Sequence, residues 1–168
     1  GMVSWLSETM RGYENFTLIH ADALKTDFKE VLKAYADRPL CVCANLPYDI
    51  TSPLILSLVE TDLPFLSMTL MIQKEAANRL SARPGEAAYG SLCAYLAYYG
   101  TVRKLFDVKA ANFYPEPTIV STCISIVPHP EKPVVPRSEE LFFRVIRAAF
   151  SSRRKTMINC LSSAFSIP

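Results

Sequence analysis

Leu40-Cys41-Val42-Cys43-Ala44-Asn45-Leu46-Pro47-Tyr48 is the stretch on which the fold of this 168-residue chain turns. Its first five residues form a continuous apolar run, the pattern of a parallel strand buried on both faces. Asn45-Leu46-Pro47 ends the run abruptly, because proline donates nothing to a sheet ladder and asparagine favours turns. Upstream, Phe16 to Ala21 is rich in strand formers, and Val31, Leu32 and Tyr35 give Phe28 to Tyr35 a helical spacing. Downstream, Ser52 followed by Pro53 predicts a capped helix start, running to about Glu60. Leu66 to Ile72 reads as a further buried strand and Lys74 to Ala82 as a helix. Gly90 to Tyr99 predicts a helix that Gly100 terminates. Val102 to Lys109 and Ile119 to Val127 alternate as strands, an antiparallel pair around the loop Asn112 to Thr118. The first fifteen residues are weakly patterned.

Strands alternating with helices predict an α/β fold, its parallel or mixed sheet covered on both faces. Ligands of such sheets collect at the carboxyl ends of the strands. Asp22 and Asn45 both stand there, each directly after an expected strand. Pro128 to Arg137 holds four prolines and predicts a linker. The expected division is therefore residues 1–130 as one domain and 131–168 as the beginning of a helical one. In the latter, Ser138 opens a helix to Phe150, and Ser151 or Ser152 caps another to about Ala164.

Half of the residues are apolar, enough for a sizeable core and against disorder. The net charge of +2 is too small to signal nucleic-acid binding by composition. Its distribution is more telling: from Leu141 onward there is no acidic residue, while Arg144, Arg147, Arg153, Arg154 and Lys155 lie there. Five cysteines in apolar surroundings, without a secretory signal, predict a reducing, cytoplasmic compartment. Cys41 and Cys43 lack the spacing of a metal site, and His20 and His129 form no paired motif, so no metal is expected. No apolar run reaches the roughly 18 to 20 residues of a membrane helix.

Asn-Leu-Pro-Tyr after a strand suits chemistry on an exocyclic amine. The amino group of adenine is a poor nucleophile, its lone pair being delocalised into the ring. The Asn45 side-chain oxygen and the Leu46 carbonyl can each accept one amino hydrogen, favouring a pyramidal nitrogen whose lone pair points at a methyl donor. Pro47 fixes the turn that presents the carbonyl, and Tyr48 offers a face for an extruded base. Taken alone, the four residues read equally well as a turn.

Further pieces carry a resemblance. They are His20-Ala21-Asp22-Ala23-Leu24, Ala44 to Thr51, Met71 to Leu80, Tyr89 to Leu92, Phe113 to Ser121 and Ala149 to Met157. In this order the chain resembles the KsgA-type family of ribosomal RNA adenine N6,N6-dimethyltransferases, related to the Erm methyltransferases, from about Tyr13 almost to the C-terminus. The resemblance implies a partial Rossmann-like class I methyltransferase sheet lacking its first two strands, and S-adenosylmethionine as cofactor. It implies that Asp22 accepts a hydrogen bond from the cofactor's adenine and that the Ala23 NH reaches the same ring. Outside the resemblance, Asp22 reads as the cap of the following turn. Asn45, Leu46, Pro47 and Tyr48 match the target-adenine site, Asn45 also bordering the cofactor, and Phe113 matches an aromatic residue on the base's opposite face. Arg153, Arg154 and Lys155 fall where the helical RNA-binding domain begins. The implied partner is ribosomal RNA or an immature small ribosomal subunit, with no membrane.

The departures are as informative. The family's Gly-rich cofactor loop and the acidic ribose ligand after the second strand have no counterpart, and none of the five glycines forms a Gly-x-Gly turn. The missing strands would lie between Phe16–Ala21 and Leu40–Ala44, which predicts an altered N-terminal arrangement or a homodimer through the exposed sheet edge. Asp49 stands where the family usually has Asn, and Ser91 where it commonly has Arg. The expected function is dimethylation of adenine N6 in small-subunit ribosomal RNA, with this chain idle for want of the loop. The alternatives are a non-catalytic RNA-binding or ribosome-assembly module, or a large-subunit Erm-like methyltransferase. An amino-methyltransferase of DNA is disfavoured by Leu46, where proline is usual.

Overall fold

The computed structural model describes residues 1–152 and 154–166. Strand β1 (Leu40–Asn45) runs parallel to β2 (Phe65–Gln73), with Asn45 opposite Met71, and helix α3 (Thr51–Val59) crosses between them. Strands β3 (Gly100–Val108) and β4 (Ser121–Pro128) form the expected antiparallel pair, and β4 lies antiparallel to β2, giving a four-stranded mixed sheet of order β1-β2-β4-β3.

Alternation along the inner strands decides which face holds the core. Met68, Leu70 and Ile72 of β2 and Ile124 and Ile126 of β4 are each at most 1% exposed. They meet Leu54, Ile55 and Leu58 of α3, Ala77 of α4 (Lys74–Leu80) and Leu96 of α5 (Ser91–Tyr99) in one cluster. Each large apolar side chain buried in it contributes about 1.5–3 kcal/mol before its entropy cost. The residues between them, Ser67, Thr69, Met71, Cys123 and Ser125, are only half-buried, and Cys41 and Cys43 are exposed. Two expectations are thereby corrected: the sheet is covered on one face, and β1 is not buried on both. β1 is an edge strand, and α3, α4 and α5 all serve the single core, so Cys41 and Cys43 face outward despite their apolar neighbours.

Phe16 to Ala21, expected as a strand, is not one. Extended backbone needs a neighbour to satisfy its N–H and C=O groups, and among the described residues no strand lies beside it to supply them. Its sequel keeps part of its helix. Asp27 caps α2 (Phe28–Val31) by accepting from the Lys29 and Glu30 amides at 3.0 and 3.2 Å, a 3₁₀ turn spans Lys33–Tyr35, and Phe28 and Leu32 pack against the core. Helix α1 (Met2–Thr9), which the weak N-terminal patterning did not predict, buries none of its residues. Helix α3 begins one residue before Ser52, and Pro53 falls within its first turn, where an amide has no intrahelical partner to lose.

Gly100 has a different purpose from the expected one. Its φ of −174° is extended rather than left-handed, and it opens β3. A Cβ there would lie 2.5 Å from the carbonyl oxygen of Val127, so glycine permits the close approach of β3 to β4.

The proline-rich segment is strapped down rather than a free tether. Lys132 Nζ lies 3.5 Å from Asp62 and 3.4 Å from Glu139, and 4.9 and 5.0 Å from the ring centroids of Tyr98 and Tyr99. Tyr98 donates to Glu139 at 2.5 Å, which holds that carboxyl below its ordinary range. Ser138 caps α6 (Glu139–Ala149) as expected, accepting from Leu141 N at 3.2 Å. Phe143 of α6 inserts among the rings of Tyr95, Tyr98 and Tyr99 at centroid distances of 4.1, 5.2 and 5.9 Å. Helix α7 (Met157–Phe165) is capped by Thr156 rather than by Ser151 or Ser152. Among the described residues, no helix is long and apolar enough to cross a membrane, and no three potential metal ligands cluster.

Candidate active site

Leu46 extends the pairing of β1 by one step, its amide donating to the Met71 carbonyl at 3.0 Å. Its side chain is 4% exposed and belongs to the core, which fixes the peptide that follows. No backbone donor among the described residues bonds the Leu46 carbonyl. The Pro47 carbonyl accepts from Ile50 N at 3.3 Å and from the Thr51 hydroxyl at 3.0 Å, closing the turn. Asn45 is exposed at the strand end. Core, turn and strand thus fix the Leu46 peptide, and the Asn45 side chain projects from the strand end beside it.

Tyr48 is 38% exposed, yet its hydroxyl lies 2.9 Å from Ser121 Oγ. Ser121 is 1% exposed and is the first residue of β4. Phe113 follows the 3₁₀ turn Ala110–Asn112, donates its amide to Ala110 O at 3.0 Å and is half-buried. Asn45, Leu46, Pro47, Tyr48 and Phe113 line one open cleft of about 360 Å³, together with Tyr114, Pro115 and Pro117. Three aromatic residues beside two hydrogen-bond acceptors are the furniture of a purine site: flat faces for stacking, and acceptors for an amino group.

Ser121 and Thr51 stand at the ends of matched sequence pieces but receive no role from the sequence. In the structure they are the anchors, one for the Tyr48 ring and one for the Pro47 turn. Both hydroxyl residues are buried, a property that only the fold discloses.

Asp22 and Ala23 do not line the cleft. The Asp22 carboxylate accepts from Leu24 N at 3.0 Å and lies 3.6 Å from Lys25 Nζ, while the Thr26 hydroxyl donates to its backbone carbonyl at 2.8 Å. Here it acts as the cap of its own turn, and Ala23 packs half-buried against the core. With no Gly-x-Gly turn in the sequence, the residues present do not make a site for a whole S-adenosylmethionine, although the half-exposed Asp22 carboxylate keeps acceptor capacity beyond its bond to Leu24. Arg154 and Lys155 are exposed ahead of α7 and away from the cleft lining, and Arg153 lies outside the described residues.

The family model for ribosomal RNA adenine dimethylase matches residues 1–167. Ribosomal RNA small subunit methyltransferase A of Streptococcus pneumoniae (strain ATCC 700669 / Spain 23F-1) is 39% identical over 166 residues, covering 98% of this chain and 57% of that protein. The protein of the same name from Streptococcus uberis gives the same identity and coverage. The chain thus spans little more than half the length of these relatives. The crystal structure of a dimethyladenosine transferase from Plasmodium falciparum matches with a TM-score of 0.80 at 28% identity, over 96% of this chain and 56% of that one. The 23S rRNA methyltransferase ErmE shares the fold, with a TM-score of 0.76 at 18% identity over 96% of this chain and 62% of that one. A family match over nearly every residue, joined to relatives 39% identical over 98% of its length, leads to one conclusion: the chain belongs to the ribosomal RNA adenine dimethylase family.

Proposed function

We propose that these residues form the adenine-accepting half of an S-adenosylmethionine-dependent enzyme that dimethylates adenine N6 in small-subunit ribosomal RNA. The observation that carries this reading is the convergence of Asn45, Leu46, Tyr48 and Phe113 on one cleft, with the Leu46 carbonyl left without a backbone donor. The flipped base stacks against Tyr48, held by Ser121, and against Phe113 across the cleft. The Asn45 oxygen and the Leu46 carbonyl accept the two amino hydrogens and so aim the nitrogen lone pair away from the ring plane. Bound S-adenosylmethionine supplies the electrophilic methyl group. Asp22, the Ala23 NH and Asn45 are its proposed contacts here, and the Asp22 carboxylate would accept from the cofactor's adenine beside its bond to the Leu24 amide. Residues 131–168 open the helical RNA-binding part, with Arg153, Arg154 and Lys155 toward phosphates.

The test uses a chain extended N-terminally by the family's Gly-rich segment. Given S-adenosylmethionine, it should methylate adenine in immature small ribosomal subunits and leave large-subunit RNA unmodified. Methylation of the large-subunit RNA alone would favour the Erm-like reading, and RNA binding without any methylation a non-catalytic module.

A further inference from the structure

A cationic groove lies outside the adenine cleft. It has a volume of about 610 Å³ and runs between α4 with its following loop and the edge strand β3, lined by Arg83, Arg103 and Lys104 together with Asn78 and Glu86. Lys25, Lys33, Arg38, Lys74 and Lys132 each have a carboxylate within 4 Å. Among the described residues Arg83, Arg103 and Lys104 have none. Glu86, the one acid in the lining, accepts from the Arg83 amide at 3.0 Å and offsets a single charge. Lys104 Nζ donates to Asn78 Oδ1 at 3.0 Å, which positions the ammonium without neutralising it.

The groove also has a direction. Lys74 meets Asp107 at 2.6 Å near one end of β3, Asn78 meets Lys104 farther along, and Arg83 lies beyond. Val108, the last residue of β3, pairs with Ser121, the anchor of Tyr48. The cations therefore begin about 13 Å along the strand from the rim of the adenine cleft. Between them and the rim, the register shifts at Leu105, which turns Phe106, paired with Cys123, to the opposite face of the sheet from Lys104. A track of cations without carboxylate partners is what the phosphates of a single nucleic-acid strand require.

We propose that this groove binds the phosphodiester backbone of the RNA strand leading to the adenine cleft, with Arg83, Arg103 and Lys104 supplying the cations. This rests on the ribosomal RNA reading above. The test is fluorescence anisotropy of a labelled adenine-rich single-stranded RNA with the 168-residue chain, between about 50 and 200 mM salt. Arg103→Gln with Lys104→Gln should lower affinity about tenfold at the lower salt and reduce the salt slope by about 1.4, about 0.7 for each phosphate that is no longer neutralised. Arg103→Lys should retain the slope. Lys29→Gln with Lys33→Gln removes the same charge from exposed positions on and just after α2, and should leave the slope unchanged. Equal losses in both double variants, or an unchanged slope in the groove variant, would overturn the track while leaving the adenine cleft standing. Failure of the unaltered chain to bind RNA at all would overturn the ribosomal RNA reading and the track with it.

Discussion

Asn45→Ala, placed in the N-terminally extended chain, is expected to lower adenine N6 methylation about 10²- to 10³-fold, the usual effect of removing one preorganised polar group from a reacting centre. The loss should fall on kcat. Phosphate contacts dominate the binding of RNA, so its apparent affinity should change little. Without the Asn45 oxygen the Leu46 carbonyl still holds one amino hydrogen, but the nitrogen is free to flatten back into conjugation with the ring. The Leu46 carbonyl itself is beyond the reach of side-chain substitution, since the peptide is fixed by the buried Leu46 side chain and the bond to Met71. Single-turnover methylation separates chemistry from binding. Activity within about threefold of the unaltered chain would remove Asn45 from the reaction.

Gly100→Ala should be the most damaging of the small substitutions in the body of the fold, costing about 1–3 kcal/mol. The new Cβ would sit 2.5 Å from Val127 O and 3.0 Å from Pro128 Cα, both backbone atoms with no rotamer through which to escape. β3 would have to part from β4 at its first pair, next to the linker that Lys132 straps down. Gly12→Ala is the control: nothing lies within 4 Å of its Cβ, so its stability should stay within about 0.5 kcal/mol. Urea unfolding of the two variants measures the difference. Equal midpoints would show that the strand pair relaxes without cost.

The run from Leu40 to Tyr48 made both the strand and the cleft legible, because an apolar stretch ending in Asn-Leu-Pro is local information. The β3–β4 pair was legible for the same reason. What the sequence concealed depends on neighbours. Phe16 to Ala21 has the composition of a strand and lacks a partner strand. Cys41 and Cys43 look interior but lie on a face that no described helix covers. Gly100 reads as a helix stop and acts as a spacer between strands. Asp22 was legible both as a cofactor ligand and as a turn cap, and here its carboxylate makes the cap. Ser121 became meaningful only when the fold brought its hydroxyl to Tyr48, because a lone serine at a strand start carries no signal of its own.

The β1 edge, the uncovered sheet face and the Asp22 turn all concern the donor side of the proposed reaction, and the cleft at Asn45 to Tyr48 its acceptor side. Calorimetric titration with S-adenosylmethionine, on the 168-residue chain and on the same chain extended by the family's Gly-rich segment, tests this division most directly. The extended chain should bind with a Kd of about 1 μM and the 168-residue chain at about 1 mM or weaker, a difference of about 4 kcal/mol. Binding by the 168-residue chain as tight as that of the extended one would contradict it.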